Sequence, residues 1–79
     1  MILEITRGHI RMEIEGKKIT ILGEAYFRGS GSPDFVVYSN SIRNWDAPDS
    51  GYIDKYTKEK IIRELYKSMK EKNMTIEIE

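Results

Sequence analysis

The sequence predicts a small α+β domain: an antiparallel-rich sheet in β-β-β-α-β order, with one amphipathic helix on one of its faces. Three observations carry this prediction. Apolar and polar residues alternate over residues 9–26 and again over residues 74–79, which is typical of strands. A stripe with helical spacing runs through residues 61–69. The length of 79 residues fits a single domain, 1–79, whose thin core leaves no room for a deep substrate cavity.

The first strands form a predicted hairpin at residues 9–26. Residues 2–6 alternate only loosely, which indicates a lead-in or a short first strand. The next run places three apolar side chains on one face, and these are Ile10, Met12 and Ile14. Gly16 can adopt the positive φ of a tight turn, and residues 18–26 alternate again. Gly23 lies inside that second run and predicts a bulge or bend there.

The middle of the chain predicts a third strand between two irregular segments. Residues 27–34 contain two glycines, two serines and a proline, which indicates a flexible connector, and they lack the lysine of a phosphate-binding loop. The third strand is predicted from Phe35 to near Arg43, and its start is apolar on both faces, which favours an interior position. Residues 44–54 carry Pro48 and a glycine and are predicted to be a loop.

The helix is predicted to begin at Thr57, whose hydroxyl can cap free backbone N–H groups. Its apolar stripe consists of Ile61, Ile62, Leu65, Tyr66 and Met69. Asn73 suits the left-handed position after a helix, and residues 74–79 alternate as the last strand. The sheet face away from the helix is expected to be mostly solvated, and its predicted members are Arg11, Glu13, Lys18, Thr20, Thr75 and Glu77.

The residues that could support chemistry are few. The chain has no cysteine and a single histidine, His9, so a standard zinc site is not expected. Asp46, Asp49 and Asp54 do not have the spacing of a calcium-binding loop, and no nucleophile motif is present. The sequence therefore predicts a protein that is not an enzyme and has no metal or cofactor.

Charge and hydropathy bear on partners and location. Basic and acidic residues balance at 13 each, but residues 55–72 contain seven Lys and Arg against three acidic residues. That basic helix could contact nucleic acid, although lysine and glutamate are also common on solvated helices.

The N-terminal residues lack a sustained apolar run, so neither a signal peptide nor a membrane partner is expected, and the predicted location is cytoplasmic.

The loop after the third strand is the predicted partner-binding surface. It carries the only tryptophan, Trp45, which is expected to close the core while its rim stays accessible. Trp, Tyr and Arg are the residue types that dominate binding hot spots. The predicted partner-binding residues are Arg43, Asn44, Trp45, Asp46, Asp49 and Tyr52.

The same region carries a family resemblance. Residues 35–42, FVVYSNSI, followed by Asn44-Trp45-Asp46-x-Pro48, resemble the immunity protein 74 family of bacterial polymorphic and contact-dependent toxin systems. The resemblance extends over nearly the whole chain. It implies a non-catalytic protein that binds and neutralises a cognate toxin domain. If that toxin is a nuclease, the acid-rich loop at residues 44–54 is the expected mimic of nucleic acid.

Two other functions stay open from the residues alone. One is a nucleic-acid-binding module that uses the basic helix at residues 55–72. The other is a small homodimer in which an exposed sheet edge, either the hairpin or residues 74–79, pairs across a two-fold axis.

Overall fold

The computed structural model describes residues 1–26 and 33–79, and these contain five strands, one α-helix and a short 3₁₀ helix. The strands are β1 (Ile2–Ile5), β2 (His9–Ile14), β3 (Lys17–Ala25), β4 (Phe35–Val37) and β5 (Ile76–Ile78). The 3₁₀ helix spans Ser39–Ser41, and helix α1 spans Lys55–Glu71. The predicted connector at residues 27–34 lies outside the described residues except for Pro33 and Asp34.

The predicted α+β class is confirmed, with one more strand than the predicted order contained. Residues 2–5 form a full strand, so the order is β-β-β-β-α-β. The strands lie side by side in chain order, and every neighbouring pair is antiparallel except β4 and β5, which are parallel. Helix α1 lies in the connection between β4 and β5, as a parallel pair requires. The interior position predicted for β4 is confirmed, because it lies between β3 and β5.

The predicted hairpin is formed by β2 and β3. Ile14 pairs with Lys17, which leaves a two-residue turn, Glu15-Gly16, with φ values of 53° and 82°. Two positive φ values are the signature of the turn that matches the twist of a hairpin. This register brings Ile10 opposite Ile21 and Met12 opposite Ile19, so their side chains share one face of the sheet.

That face and the helix enclose the core. The buried helix residues are Ile61, Leu65 and Met69, and the sheet contributes Ile10, Met12, Ile19, Ile21, Phe35 and Val37. The predicted helix stripe is wrong at Tyr66, which is exposed, and Ile62 is only half-buried. Ile42, Trp45 and Ile53 complete the core. The core therefore extends into the loop that follows β4.

Gly23 permits close contact between β3 and β4. Strand β3 continues through this residue, and the bulge or bend predicted there stays a prediction. Gly23 pairs with Val37, and a Cβ atom at Gly23 would lie 2.2 Å from the carbonyl oxygen of Val36 and 2.4 Å from the Phe35 ring. A side chain at this position would collide with the neighbouring strand.

Two predicted boundaries are corrected. The third strand ends at Val37 instead of near Arg43, because the Ser41 hydroxyl donates to the Tyr38 carbonyl at 2.7 Å and accepts from the Leu22 N–H at 2.9 Å. The helix begins after Asp54, which is its N-cap, instead of at Thr57.

The predicted end of the helix is confirmed. Asn73 has a φ of 57° and donates its N–H to Lys70, while the N–H of Met74 reaches the carbonyl of Met69 at 2.9 Å. This pair of bonds is the Schellman arrangement that ends many helices. This helix end directs the chain into β5.

Within the described residues, no helix is long and apolar enough to cross a membrane.

The opposite face of the sheet is mostly open to solvent. Of its predicted members, Lys18, Thr75 and Glu77 are exposed, and Arg11, Glu13 and Thr20 are half-buried. Val36 is buried although it lies on this face: it pairs with Glu24 and Glu77, and it is 3% exposed.

Candidate functional site

The loop at residues 43–54 is fixed by its own backbone. The N–H of Trp45 donates to Gly51 at 2.9 Å, and the N–H of Ile53 donates to Arg43 at 2.7 Å. Asn44 and Tyr52 form an isolated antiparallel bridge between these two bonds. The two arms of the loop therefore hold each other like a short hairpin, which limits the entropy that the loop loses when a partner binds.

Asp46 fastens this loop to the sheet. Its N–H donates to the Lys18 carbonyl at 2.8 Å, and its Oδ2 accepts from the Thr20 hydroxyl at 2.8 Å. Because both contacts go to β3, the Asp46 carboxylate is turned toward the body of the protein. Asp46 therefore supports the loop and is half-buried.

Trp45 closes the core between the hairpin and the helix, and its side chain is 9% exposed. It lines a surface recess together with Ile14, Tyr52 and Ile61. The Lys17 ammonium lies 5.5 Å from the centre of the indole ring, within the range of a cation–π contact. Trp45 thus belongs to the core with one edge near the surface.

Asp54 links the loop to the helix. The Thr57 backbone N–H donates to Asp54 Oδ1 at 2.8 Å and holds the pKa of that carboxyl below its ordinary value of 3.8. One turn further on, the Lys60 ammonium pairs with the Glu15 carboxylate in the hairpin turn. This ion pair lowers the pKa of Glu15 and raises that of Lys60, mainly through the hydrogen bond between them.

Replacing Asp54 with alanine should lower the thermal unfolding midpoint at neutral pH, because the cap of α1 is lost. The folded pKa of Asp54 is depressed, so its stabilising effect is complete above pH 3.8 and disappears as the pH falls through the lower folded value. The midpoints of the variant and the wild type should therefore converge in strong acid when both are followed by circular dichroism. Asp49→Ala is the control, and an equal loss in that variant would contradict the capping role.

We use the name loop surface for six residues of this region, of which Lys58 is half-buried and the others are exposed: Arg43, Asp49, Tyr52, Lys55, Tyr56 and Lys58. Tyr52 is 78% exposed and Tyr56 is 74% exposed. Arg43 donates from Nε to the Asn40 carbonyl at 2.8 Å, and it lines a recess with Tyr52, Lys55 and Lys58. The loop surface is therefore aromatic and cationic.

The structure divides the predicted site residues into two groups. Arg43, Asp49 and Tyr52 lie on the loop surface, whereas Asn44, Trp45 and Asp46 mainly hold the loop in place. The carboxylates of Asp46 and Asp54 each accept a hydrogen bond. Asp49 is the remaining loop carboxylate, and it accepts none from the described residues. An acidic imitation of nucleic acid would thus rest on one carboxylate beside several cations.

The predicted partner-binding residues do not include Lys55, Tyr56 and Lys58, although the basic helix predicted at residues 55–72 contains all three. A helix that begins at Thr57 leaves Lys55 and Tyr56 outside it, whereas α1 begins at Lys55 and places them in its first turn. The available signal was Asp54, an equally good N-cap type three residues earlier. Among residues 1–26 and 33–79, no three histidine, aspartate or glutamate side chains converge as metal ligands.

Fold and site together define a small α+β domain that carries a rigid aromatic loop on its exterior. The sequence model of the family Immunity protein 74 matches residues 2–79. The chain belongs to the Immunity protein 74 family, which confirms the resemblance seen in residues 35–48. Neither curated proteins nor solved structures give a significant match.

Proposed function

We propose that this protein is a non-catalytic, cytoplasmic immunity protein that binds a cognate bacterial toxin domain through the loop surface and blocks its action. Family membership supports an immunity role in general. The observation that carries the more specific proposal is the exposure of Tyr52 and Tyr56 on a loop and helix start that are otherwise fixed by hydrogen bonds.

These tyrosines have little part in folding. Burying an aromatic side chain is among the largest gains available to a small domain, yet both rings are left more than 70% exposed. Exposed aromatic residues beside arginine are typical of binding hot spots. A rigid support for them reduces the ordering cost of association.

The charges of the loop surface indicate how a partner would approach. Arg43, Lys55 and Lys58 lie around one recess, and both Asp49 and Asp54 are exposed in the same loop. Such a surface favours a partner with a locally acidic patch, and the charges would raise the rate of encounter more than the final affinity.

Nucleic acid is the alternative partner for the same cations. On the exposed side of α1, however, Glu59 lies between Lys55 and Arg63, and Lys60 is paired with Glu15. Binding to nucleic acid would show a steep salt dependence, whereas a flat titration against RNA and DNA at low salt removes this alternative.

The deciding experiment is co-expression with the toxin domain encoded by the neighbouring gene. We expect a stable one-to-one complex by size-exclusion chromatography with light scattering, and loss of toxicity in cells that contain both proteins. Independent elution of the two proteins, with toxicity unchanged, would overturn the proposal.

A further inference from the structure

One backbone edge of β5 faces away from β4. Among the described residues this strand pairs with β4 alone. Thr75 and Glu79 direct their backbone groups toward β4, because Phe35 donates to Thr75 and Glu79 donates to Val37. Backbone groups alternate in direction along a strand, so the N–H and C=O groups of Ile76 and Ile78 point outward. They present donors and acceptors that an additional strand could use.

An apolar recess borders this edge on the helix side. It is lined by Tyr66, Lys67, Lys70, Met74, Thr75 and Ile76. Tyr66 is exposed, whereas Met74 and Ile76 are half-buried, so the recess offers apolar surface that the fold itself does not fully cover. An apolar side chain from a strand added to β5 would reach this recess.

The other side of the same edge is acidic. Glu77 and Glu79 are exposed on the sheet face away from the helix. Glu24 lies on that face as well, across Val36, because Glu24 and Glu77 both pair with that residue. The Glu24 carboxylate accepts from the Tyr38 hydroxyl at 3.2 Å, and the pKa of Tyr38 is raised by partial desolvation together with this carboxylate.

We propose that β5 accepts an extended segment of the toxin domain in which basic side chains alternate with apolar ones. The basic side chains would lie opposite Glu77 and Glu79, and the apolar side chains would enter the recess beside Tyr66. This inference rests on the proposed function. It gives the toxin domain a second contact, at β5, in addition to the one at the loop surface. Main-chain hydrogen bonds supply affinity in such strand addition, and the alternating side chains supply specificity.

Charge argues against a second copy of this chain as the occupant. Antiparallel pairing of two β5 strands through Ile76 and Ile78 would place Glu77 opposite Glu77 of the second copy. Like charges that face each other across a strand pair are destabilising. Charged residues on an edge strand are also a common protection against self-association.

The loop surface and the β5 edge are connected along one flank of α1. Lys58 lines the recess beside Arg43, and Lys70 lines the recess beside Ile76. Between them, at spacings of four residues, lie Ile62 and Tyr66, so the four side chains form one row along the helix. A single partner that contacts the loop surface can therefore follow this row to the edge.

Hydrogen exchange measured by NMR tests the strand addition directly. In the free protein the amides of Ile76 and Ile78 should exchange rapidly, and in the complex with the toxin domain they should slow by about tenfold or more. Unchanged exchange at both amides in a complex that does form would overturn the edge proposal and leave the proposed function intact.

A charge-reversal pair supplies the second measurement. Glu77→Lys/Glu79→Lys should weaken binding to the toxin domain by about 30-fold, because attraction to the added strand becomes repulsion. The matched control is Glu64→Lys/Glu71→Lys, which changes the net charge by the same amount. These two residues lie beside Met1 and Ile2, at the opposite edge of the sheet. Equal affinities for the two variants would overturn the proposal.

Two further outcomes would also count against it. A doubled mass of the toxin-free protein, with the Ile76 and Ile78 amides already protected, would assign the edge to a second copy. Failure of the wild-type pair to form any complex would remove the proposed function, and this partner with it.

Discussion

Replacing Trp45 with alanine is expected to lower the free energy of unfolding by about 3–5 kcal/mol, the usual cost of removing a buried aromatic side chain. Trp45 is 9% exposed and belongs to the core cluster beside Ile53 and Ile61. A domain of 79 residues has a total stability of about 4–12 kcal/mol. The substitution therefore threatens the fold itself.

The measurement should be urea denaturation followed by far-ultraviolet circular dichroism, because the substitution removes the only tryptophan fluorophore. Tyr52→Ala is the control from the same loop. Its ring is 78% exposed, so its unfolding free energy should stay within about 0.5 kcal/mol of wild type. A Trp45→Ala protein as stable as that control would show that the indole is not part of the core.

The elements predicted well are those determined by local pattern. The hairpin follows from the alternation around Gly16, a position that requires positive φ. The end of α1 follows from Asn73, which adopts the left-handed conformation as expected. In both places a residue type that tolerates positive φ stands where the backbone needs it, so neighbouring residues suffice for the prediction.

The boundaries predicted poorly depend on contacts distant in sequence. Strand β4 ends early because the Ser41 hydroxyl meets the Leu22 N–H on β3, a contact between residues 19 positions apart. Asp54 caps the helix although Thr57 is also a suitable type, and the bridge between Asn44 and Tyr52, which joins residues distant in sequence, ends just before this cap. Composition alone does not distinguish these choices.

The partner-binding site stays a prediction, and the structure shows which of its side chains are exposed. The residue types around Trp45 point to a binding loop, but its hydrogen bonds decide which side chains remain available. Asp46 is turned toward Thr20, and Asp54 is occupied by the helix N-terminus, so the acid-rich loop presents mainly Asp49. The first turn of α1 adds the cations Lys55 and Lys58 to the loop surface. The sequence predicts an aromatic binding loop whose acidic residues would matter only against a nuclease, and the hydrogen bonds of Asp46 and Asp54 reduce the number of carboxylates free for that role.

The second large effect concerns binding. Tyr52→Ala should weaken the complex with the toxin domain by about 2 kcal/mol, or about 30-fold in Kd, which is the threshold of an interface hot spot. The reason is that Tyr52 lies between the Arg43 recess and the Trp45 recess, so its ring would become enclosed when a partner covers both. Isothermal titration calorimetry on the purified pair would measure the change.

Tyr26→Ala is the matched control, because Tyr26 is also an exposed tyrosine, at 42%, and follows the last residue of β3. Trp45 and Asp46 adjoin the other end of that strand, near Lys18. Strand geometry separates the two ends by about 25–30 Å, so one loop-centred interface cannot include both tyrosines at its centre. If Tyr26→Ala weakens binding while Tyr52→Ala does not, the partner occupies the opposite end of the sheet. The loop surface would then have no part in recognition.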